Sequence, residues 1–268
     1  MCEFCHKHGE GKRWYLEMKN YSRELLAQGG RVGFIDDTRA HFEAKYSRLL
    51  TGLDAVRNIP VAYGFIRRMA ERFQKNEHWG QIVPIEDIEL IIDFQDSIVR
   101  LPCRCRTLTT GAREARYCFG LGVDQMNILG KYPDYSNVEL VDKEEAKRLM
   151  RTFDREGLIH SIWTFKTPYI GGLCNCDHDC VAYRVQVKQN LMRTMFRAEY
   201  VAQVDRDLCT GCRACRMQCH FGAIRISYAS GKAVIDTRQC YGCGVCRVAC
   251  PADAITLERR ADSPDLPW

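Results

Sequence analysis

The sequence of 268 residues contains no uninterrupted apolar run of roughly 18 residues, the length that a membrane-spanning helix requires. It also lacks the charged and then apolar pattern of a secretory signal peptide at its start. A Walker A loop, a G-x-G-x-x-G nucleotide fingerprint, an H-E-x-x-H motif and a nucleophile elbow are all missing. No basic low-complexity arm or nucleic-acid motif is present. These absences argue against a membrane protein, a nucleotide-dependent enzyme and a nucleic-acid-binding protein.

Cysteine, in contrast, is abundant, with 16 residues in the chain. Because no export signal is recognised, we expect a reducing, cytoplasmic environment. Cysteines in such an environment bind metal more often than they pair as disulfides. The composition therefore predicts a cytoplasmic metal-binding protein.

Eight of the cysteines form two copies of one spacing near the C-terminus. The runs are Cys209-x2-Cys212-x2-Cys215-x3-Cys219 and Cys240-x2-Cys243-x2-Cys246-x3-Cys250-Pro251. A [4Fe–4S] cube requires four thiolates, and a C-x2-C-x2-C loop delivers three of them to one small inorganic core. Disulfides or zinc sites are the alternative use of these cysteines, but neither explains two such runs in tandem.

These residues resemble a bacterial-type two-cluster ferredoxin domain over roughly residues 199–260. The segments CTGCRACRMQCHFGAIRI and CYGCGVCRVACPADAITL form the internal repeat of such a domain. The resemblance implies crossed ligation, in which the last cysteine of each run binds the other cluster. One cube then has the ligands Cys209, Cys212, Cys215 and Cys250, and the second has Cys240, Cys243, Cys246 and Cys219. His220 departs from the pattern because it stands where the first run would carry proline, and this departure affects the local potential rather than the ligands.

The formal charge of +5 changes once clusters are counted. Each [4Fe–4S] core with four thiolates carries about −2, so two clusters bring the total to about +1 and four bring it to about −3. The basic balance therefore does not indicate a nucleic-acid partner. Exposed clusters of this kind are generally oxygen-labile, and we accordingly expect an anaerobic source.

Apolar residues at helical spacing predict a helical layer over residues 13–100. The stripes are Trp14, Met18, Tyr21 and Leu25; Phe42, Tyr46, Leu49, Leu50 and Leu53; Ala62, Phe65, Ile66, Met69 and Phe73; and Ile88, Ile91, Ile92, Ile98 and Val99. We expect all four stripes to face the core. Pro102 is expected to end the last helix, which would leave Cys103 and Cys105 on an extended loop.

A small αβ unit is predicted next. Val138 to Val141 favours a short strand, and Asp142 with Glu145 has the spacing of a capping box at the start of a helix that Gly157 closes. Residues 158–163 favour another strand, and residues 181–197 a further helix.

The remaining eight cysteines all fall in segments predicted as loop or terminus. They are Cys2, Cys5, Cys103, Cys105, Cys118, Cys174, Cys176 and Cys180. Spacings of one to three residues let neighbours converge on one metal centre. We expect one or two further clusters, with the triplet from Cys103 to Cys118 as one nucleus and the triplet from Cys174 to Cys180 as the other. The N-terminal pair would supply the fourth ligands, and His178 is an alternative.

Other uses of these eight cysteines remain open. Zinc is the alternative metal, since tetrahedral thiolate sites serve either one. Isolated cysteines also serve as small buried apolar side chains. The string Cys2-x2-Cys5-His6 matches a c-type haem attachment motif, but haem attachment follows export. A structural or cluster-binding role is therefore the favoured interpretation of the N-terminal pair.

Nearly the full chain resembles the multi-cysteine ferredoxin-like iron–sulfur proteins of anaerobes. The residues that carry this resemblance are the N-terminal Cys2-x2-Cys5 with His8-Gly-Glu-Gly11 and Trp14-Tyr15, the Pro102-Cys103-Arg104-Cys105-Arg106 loop with Cys118, the Cys174-x-Cys176 loop and the C-terminal repeat. Asp177-His178-Asp179 departs from it, since more cysteine and glycine are expected there.

The expected fold is α+β, with a mostly helical N-terminal region and a small αβ unit before a C-terminal two-cluster ferredoxin-like domain. The predicted divisions are residues 1–100, 101–198, 199–260 and a tail at 261–268. We expect an electron-transfer protein or subunit that relays low-potential electrons through several [4Fe–4S] clusters to or from a flavin- or metal-containing oxidoreductase. The alternative is a reductase in which an N-terminal cluster or metal binds a small substrate and is fed by the ferredoxin domain. A redox- or zinc-linked regulator ranks last because no DNA-reading element is found.

Overall fold

The computed structural model describes residues 13–122 and 138–262. The predicted ligands Cys2 and Cys5 lie outside the described residues, as does most of the predicted C-terminal tail.

Helices dominate the first part of the chain, and short helices recur later. The helices are α1 Arg23–Ala27, α2 Arg31–Ala40, α3 Phe42–Val56, α4 Pro60–Glu77, α5 Ile85–Asp93, α6 Arg104–Thr110, α7 Lys143–Arg155, α8 Val181–Tyr183, α9 Ala214–Gln218 and α10 Val245–Val248. The strands are β1 Gly80–Ile82, β2 Ile98–Leu101, β3 Cys118–Leu121, β4 Glu139–Leu140, β5 Ile159–Thr164, β6 Ile170–Cys176, β7 Met195–Phe196, β8 Tyr200–Val204, β9 Ile224–Ile226, β10 Ala233–Ile235 and β11 Ile255–Arg259. The mixture of both element types is consistent with the predicted α+β class.

A seven-stranded sheet in the order β4-β2-β3-β6-β5-β1-β7 organises the residues before the ferredoxin-like repeat. Neighbouring strands pair antiparallel, except that β1 and β7 are parallel. Strands β1 and β2 come from the segment predicted to be helical. The sheet therefore crosses the predicted boundary at residue 100 and joins the first two predicted divisions in one structural unit.

Helices α5 and α7 pack on the sheet and form the main core. Ile88 and Ile91 of α5, Met150 and Phe153 of α7 and Leu173 of β6 belong to one buried apolar cluster. Removing these side chains from water is the main favourable contribution to folding of such a layer. The core thus fixes the position of β6, which carries two of the predicted ligands.

The predicted αβ unit is confirmed. The Asp142 carboxylate accepts a hydrogen bond of 2.8 Å from the Glu145 backbone N–H, which caps the first turn of α7. Gly157 follows the helix with a φ of 81°, a left-handed conformation that favours glycine. Strand β5 begins two residues later.

The apolar stripe of α4 was predicted to face the core, and this is wrong. The helix begins at Pro60 as expected. However, Phe65, Met69 and Phe73 are 66%, 59% and 66% exposed. Helical periodicity identifies an apolar face, but it contains no information about which other element covers that face.

Three predicted helix boundaries also differ from the structure. The segment from Trp14 forms two 3-10 turns and the short α1 rather than one helix. Helix α5 ends at Asp93, and the next apolar residues form β2, where β-branched side chains pack well between neighbouring strands. Residues 181–197 form α8, a π-helical turn and β7.

Residues 200–262 form two antiparallel strand pairs with two short helices. Strand β8 pairs with β11, and β9 pairs with β10. Helix α9 contains the third cysteine of the first run, Cys215, and α10 contains its counterpart Cys246. In the described ranges no helix is long and apolar enough to cross a membrane.

Candidate metal centres

The ferredoxin-like unit contains two small cavities, each lined by four cysteines. The first is lined by Cys209, Cys212, Cys215 and Cys250. The second is lined by Cys219, Cys240, Cys243 and Cys246. Each set combines three cysteines of one run with the last cysteine of the other, which is the grouping that crossed ligation requires. We call the metal positions cluster I and cluster II in this order.

The loops around both cavities have the same backbone conformation. Gly211 and its counterpart Gly242 have φ values of 74° and 68°, and Arg213 and Gly244 have φ values of 70° and 83°. A side chain at Gly242 would place its Cβ 2.1 Å from the backbone oxygen of Tyr200, so only glycine fits there. These conformations let three cysteines of one short loop face a common centre.

Backbone N–H groups point at several of the cysteine sulfurs. The N–H groups of Ala223 and Ala254 donate to Cys219 and Cys250, each at 3.3 Å. The N–H of Gly242 donates to Cys240 at 3.4 Å. Hydrogen bonds of this kind stabilise thiolates and influence the potential of a bound cluster. The donor sets and the loops therefore fit [4Fe–4S] clusters.

A third and larger cavity is lined by six cysteines, and we call it the six-thiol cavity. Its cysteines are Cys103, Cys105, Cys118, Cys174, Cys176 and Cys180. They are all of the described cysteines outside the ferredoxin-like repeat. The two triplets that the sequence assigned to separate nuclei are thus together around one space.

Strand pairing brings half of these cysteines together. Cys118 of β3 lies directly opposite Cys174 of β6 in the antiparallel register. Cys174 and Cys176 lie two residues apart in β6, so their side chains point to the same face of the sheet. The predicted loop positions of Cys118, Cys174 and Cys176 are therefore wrong, because all three lie in strands. The extended backbone of the strands brings these three cysteines together.

The other three cysteines of the cavity lie at the starts of two helices. Cys103 is the N-cap residue of α6, and Cys105 lies in the first turn of that helix. Cys180 is the N-cap residue of α8. Exposed backbone N–H groups at a helix start favour the thiolate form of cysteine. The extended loop predicted around Cys103 and Cys105 is replaced by this helix.

The thiols in the cavity are close to one another. The sulfur of Cys118 is 3.1 Å from that of Cys103 and 3.6 Å from that of Cys174. Among residues 13–122 and 138–262, no three His, Cys, Asp or Glu side chains have the spacing for a single metal ion. The spacing therefore does not supply a ready-made single-ion site in the described part of the chain.

The six-thiol cavity is larger than the two cavities of the ferredoxin-like unit. The six-thiol cavity has about 130 Å³, whereas the cavities of clusters I and II have about 10 Å³ and 20 Å³ measured in the same way. Buried cysteines that served only as small apolar side chains would pack without such a void. The six thiols therefore fit a metal centre, and the space beside them is larger than that at clusters I and II.

A buried arginine lies next to the thiols. Arg106 is 4% exposed. Its guanidinium donates to the Cys103 sulfur at 3.5 Å and forms an ion pair of 2.9 Å with Asp177. It also stacks on the Tyr117 ring at 3.9 Å. A buried cation in this position stabilises negative charge on the centre.

The ionisation of the thiols follows from these neighbours. The hydrogen bond with Cys118 and the charge of Arg106 lower the pKa of Cys103 to about 6, although burial opposes this. Burial and the negative charge of Cys180 raise the pKa of Cys105 well above its usual value. Hydrogen bonding to Cys180 and burial do the same for Cys176. Burial and neighbouring negative charge thus disfavour the thiolate forms of Cys105 and Cys176, and a bound metal ion would favour them.

Cluster II lies on the side of the ferredoxin-like unit that faces the six-thiol cavity. Val245 from its loop belongs to the same buried apolar cluster as Cys176, Cys180 and Tyr183, and Cys243 packs against that cluster. The rings of Phe221 and Tyr241, which line cluster II, stack at 3.9 Å and pack against that apolar cluster. Protein side chains thus fill the space between the two centres.

The histidine that the sequence indicated as a ligand does not line the cavity, whereas another histidine does. The predicted alternative ligand His178 has a side chain that is 63% exposed, and it is not among the residues that line the cavity. His78, which sequence analysis missed, does line the cavity. Its Nδ1–H donates to the Thr164 carbonyl at 2.6 Å, which leaves Nε2 as an acceptor. No local motif marks His78, because it reaches the site from the end of α4.

Comparison with known proteins agrees with the C-terminal site. Residues 208–254 match the family model of the 4Fe-4S dicluster domain, a segment that spans under one fifth of the chain. The comparison with curated proteins finds no match for the chain. The C-terminal part of the molecule is therefore a ferredoxin-like domain that binds [4Fe–4S] clusters and is suited to electron transfer.

Proposed function

We propose that the protein is an electron-transfer component that connects a partner oxidoreductase, through clusters I and II, to a third metal centre in the six-thiol cavity. The main support is that six cysteines from distant segments converge on one cavity, and that this cavity packs against the cluster II loop. Metals bound at these positions would accept and donate single electrons. The remaining chemistry belongs to the residues that hold them.

The crossed cysteine sets hold clusters I and II, and the six cysteines of the larger cavity hold one or two further clusters. Cys2 and Cys5 are the proposed additional ligands. A single zinc ion in part of this cavity is the alternative. The volume of about 130 Å³ favours the larger iron–sulfur centre.

The exposed end of the ferredoxin-like domain is the proposed docking surface for the partner. Cys212 of the cluster I set is exposed. Leu208 and Met217 nearby in sequence are 53% and 85% exposed. Residues 200–268 contain nine Lys and Arg against seven Asp and Glu, so the surface lacks a strongly acidic character. We expect a flavin- or metal-containing partner held by apolar contacts as well as charge, and hence a weak effect of salt on electron transfer.

A reductase is the second candidate function. An open pocket of about 560 Å³ adjoins the six-thiol cavity, with Thr38, Tyr46 and His78 lining both. A small molecule in that pocket would lie next to the third centre. Turnover of a small molecule by the purified protein with an artificial electron donor would favour this function over that of a carrier.

Metal and sulfide analysis of anaerobically purified protein tests the proposal. Two cubes alone give about 8 iron per chain, and one or two more give about 12 or 16 with matching sulfide. The double variant Cys176→Ser/Cys180→Ser should lose only the iron above about 8, because the ferredoxin cysteines are unchanged.

The matched control is the double variant Cys212→Ser/Cys243→Ser, which should lose iron from clusters I and II instead. A wild-type content of about 8 iron without zinc would contradict the third centre. It would leave the ferredoxin-like domain in place.

A further inference from the structure

The open pocket beside the six-thiol cavity has an apolar interior. Helices α2, α3 and α4 surround it, with Phe34, Ala70 and Phe73 among its lining residues. Its volume of about 560 Å³ lies in the range of small-molecule sites. Its inner end reaches Thr38, Tyr46 and His78, which also line the six-thiol cavity. The pocket and the six-thiol cavity therefore share part of their walls.

The charged residues of the pocket are not all paired. The ammonium group of Lys45 forms an ion pair with Asp37. Lys166 and Glu77 also line the pocket and are half-buried, and among the described residues neither forms an ion pair. The Lys166 ammonium donates to the Gly29 carbonyl at 3.1 Å and lies 5.9 Å from the centre of the Phe34 ring. Within residues 13–122 and 138–262, the pocket thus presents one positive and one negative group without an ion-pair partner.

This pair of charges limits the class of ligand. A simple anion would pair with Lys166 but be repelled by Glu77, and a simple cation would pair with Glu77 but be repelled by Lys166. A purely apolar ligand would remove both half-buried charges from water without a compensating bond, which is unfavourable. A molecule that carries one carboxylate and one ammonium group satisfies both charges, and an apolar body fits the aromatic walls.

We propose that this pocket binds a small zwitterion with an apolar side chain, of the α-amino acid type, with its carboxylate at Lys166 and its ammonium group at Glu77. The apolar part lies between Phe34 and Phe73 and points towards His78. The proposal goes beyond electron transfer, because binding does not depend on which metal occupies the six-thiol cavity.

The test is equilibrium binding to the anaerobically purified holoprotein. The twenty amino acids are screened by ligand-observed NMR, and the strongest binder is compared by calorimetry with its analogues that lack either the amino or the carboxyl group. We expect each analogue to bind at least about tenfold more weakly, because hydrogen bonds to charged groups contribute that much to affinity.

Two variants assign the groups. Lys166→Met should weaken binding of the parent amino acid at least about tenfold but leave the affinity for the analogue without a carboxylate unchanged. Glu77→Gln should also weaken binding of the parent at least about tenfold but leave the affinity for the analogue without an amine unchanged. The controls Lys188→Met and Glu144→Gln change exposed residues that do not line the pocket. Unchanged cluster absorbance and circular dichroism verify that each variant is folded.

Failure to bind any amino acid would overturn the proposal, as would equal affinity for the parent and its analogues. Unchanged affinity of both pocket variants for the parent amino acid would also overturn the proposal. These outcomes are distinct from those of the metal analysis, since a protein with about 8 iron can still bind the zwitterion and one with about 16 can fail to bind it.

Discussion

At the scale of single residues, Cys250 allows a direct test of whether the two clusters have crossed ligands. Cys250 belongs to the second run but lines the cavity of cluster I with Cys209, Cys212 and Cys215. Its sulfur accepts the Ala254 N–H at 3.3 Å, so it already faces a hydrogen-bond donor of the cluster loop. Position in the sequence and position in space therefore assign this cysteine to different clusters.

We predict that Cys250→Ser damages cluster I more than cluster II. Serine preserves the shape of the side chain but replaces a thiolate with a harder and less acidic ligand. Electron paramagnetic resonance of the reduced protein should show the same loss as in Cys212→Ser. The reference for cluster II is Cys243→Ser, whose cysteine lines the other cavity. A Cys250→Ser spectrum that matches this reference would show that the ligands are not crossed.

Arg106 and Asp177 provide a second residue-scale test because they form an ion pair beside the thiols. Although burial opposes it, hydrogen bonding to Arg106 lowers the pKa of Asp177. Arg106 therefore lies beside a carboxylate on one side and the Cys103 sulfur on the other. The charge at the centre depends on both members of the pair.

We predict that Arg106→Leu lowers the reduction potential of the third centre and that Asp177→Asn raises it. One charge contributes about 1 to 2 kcal/mol at an effective dielectric constant of about 20, which is about 40 to 90 mV for one electron. Redox titration followed by electron paramagnetic resonance measures both shifts. Arg148→Leu is the control, since its side chain is 65% exposed on α7. Shifts of the same sign in the two variants would contradict this electrostatic role.

At the scale of elements, local signals and tertiary contacts were predictable to different degrees. The cysteine runs and the Asp142 cap depend on neighbours within a few residues, so the sequence located them. The six-thiol cavity depends on the antiparallel pairing of Cys118 with Cys174, which are 56 residues apart. Nothing in the spacing of one strand specifies its partner. The sequence therefore singled out these cysteines as candidate ligands, but it did not indicate that the two upstream triplets line one cavity.

The exposed face of α4 illustrates the same limitation for packing. Met69 of α4 is 59% exposed, and Met150 of α7 is 1% exposed, although both lie on apolar stripes with helical spacing. The free energy gained from an apolar side chain depends on the area removed from water. The two methionines should thus contribute very differently to stability.

We predict that Met150→Ala lowers the free energy of unfolding by about 2 to 5 kcal/mol, whereas Met69→Ala changes it by less than about 0.5 kcal/mol. Both changes place alanine in a helix, so the effect of helix propensity is the same. Urea unfolding of the holoprotein, followed by circular dichroism, measures the difference. A large loss in Met69→Ala would mean that another surface covers the α4 face in solution.

At the scale of the whole molecule, the ferredoxin-like domain is anchored to the sheet region through polar contacts. His220, which replaces the expected proline, has its Nε2 2.7 Å from the Gly157 carbonyl. Arg247 forms an ion pair of 2.6 Å with Glu86 on α5. The departure from the ferredoxin pattern therefore has a structural role: it attaches the first run to the end of α7.

These anchors place cluster II, rather than cluster I, against the six-thiol cavity. The apolar cluster between them contains Tyr183 and Val245, with Tyr241 packed against it. Cys212 of cluster I is exposed to solvent, and no cysteine of the cluster I set, all four of which the structure describes, packs against that apolar cluster. This arrangement is consistent with the proposed electron transfer from cluster I through cluster II to a third centre.

We predict that the third centre is reduced by intramolecular transfer after a pulse of photoreduced deazaflavin reduces the ferredoxin-like domain. The rate should be first order, independent of protein concentration and insensitive to salt, because the centres are held together within one chain and salt screens mainly exposed charges. Rapid optical and electron paramagnetic resonance measurements follow the reduced ferredoxin-like domain and the reduced third centre over time. The control is the double variant Cys176→Ser/Cys180→Ser, in which the transfer from the ferredoxin-like domain to the third centre should be absent. A rate that increases with protein concentration would show that the electrons pass between molecules, and would contradict the path through cluster II.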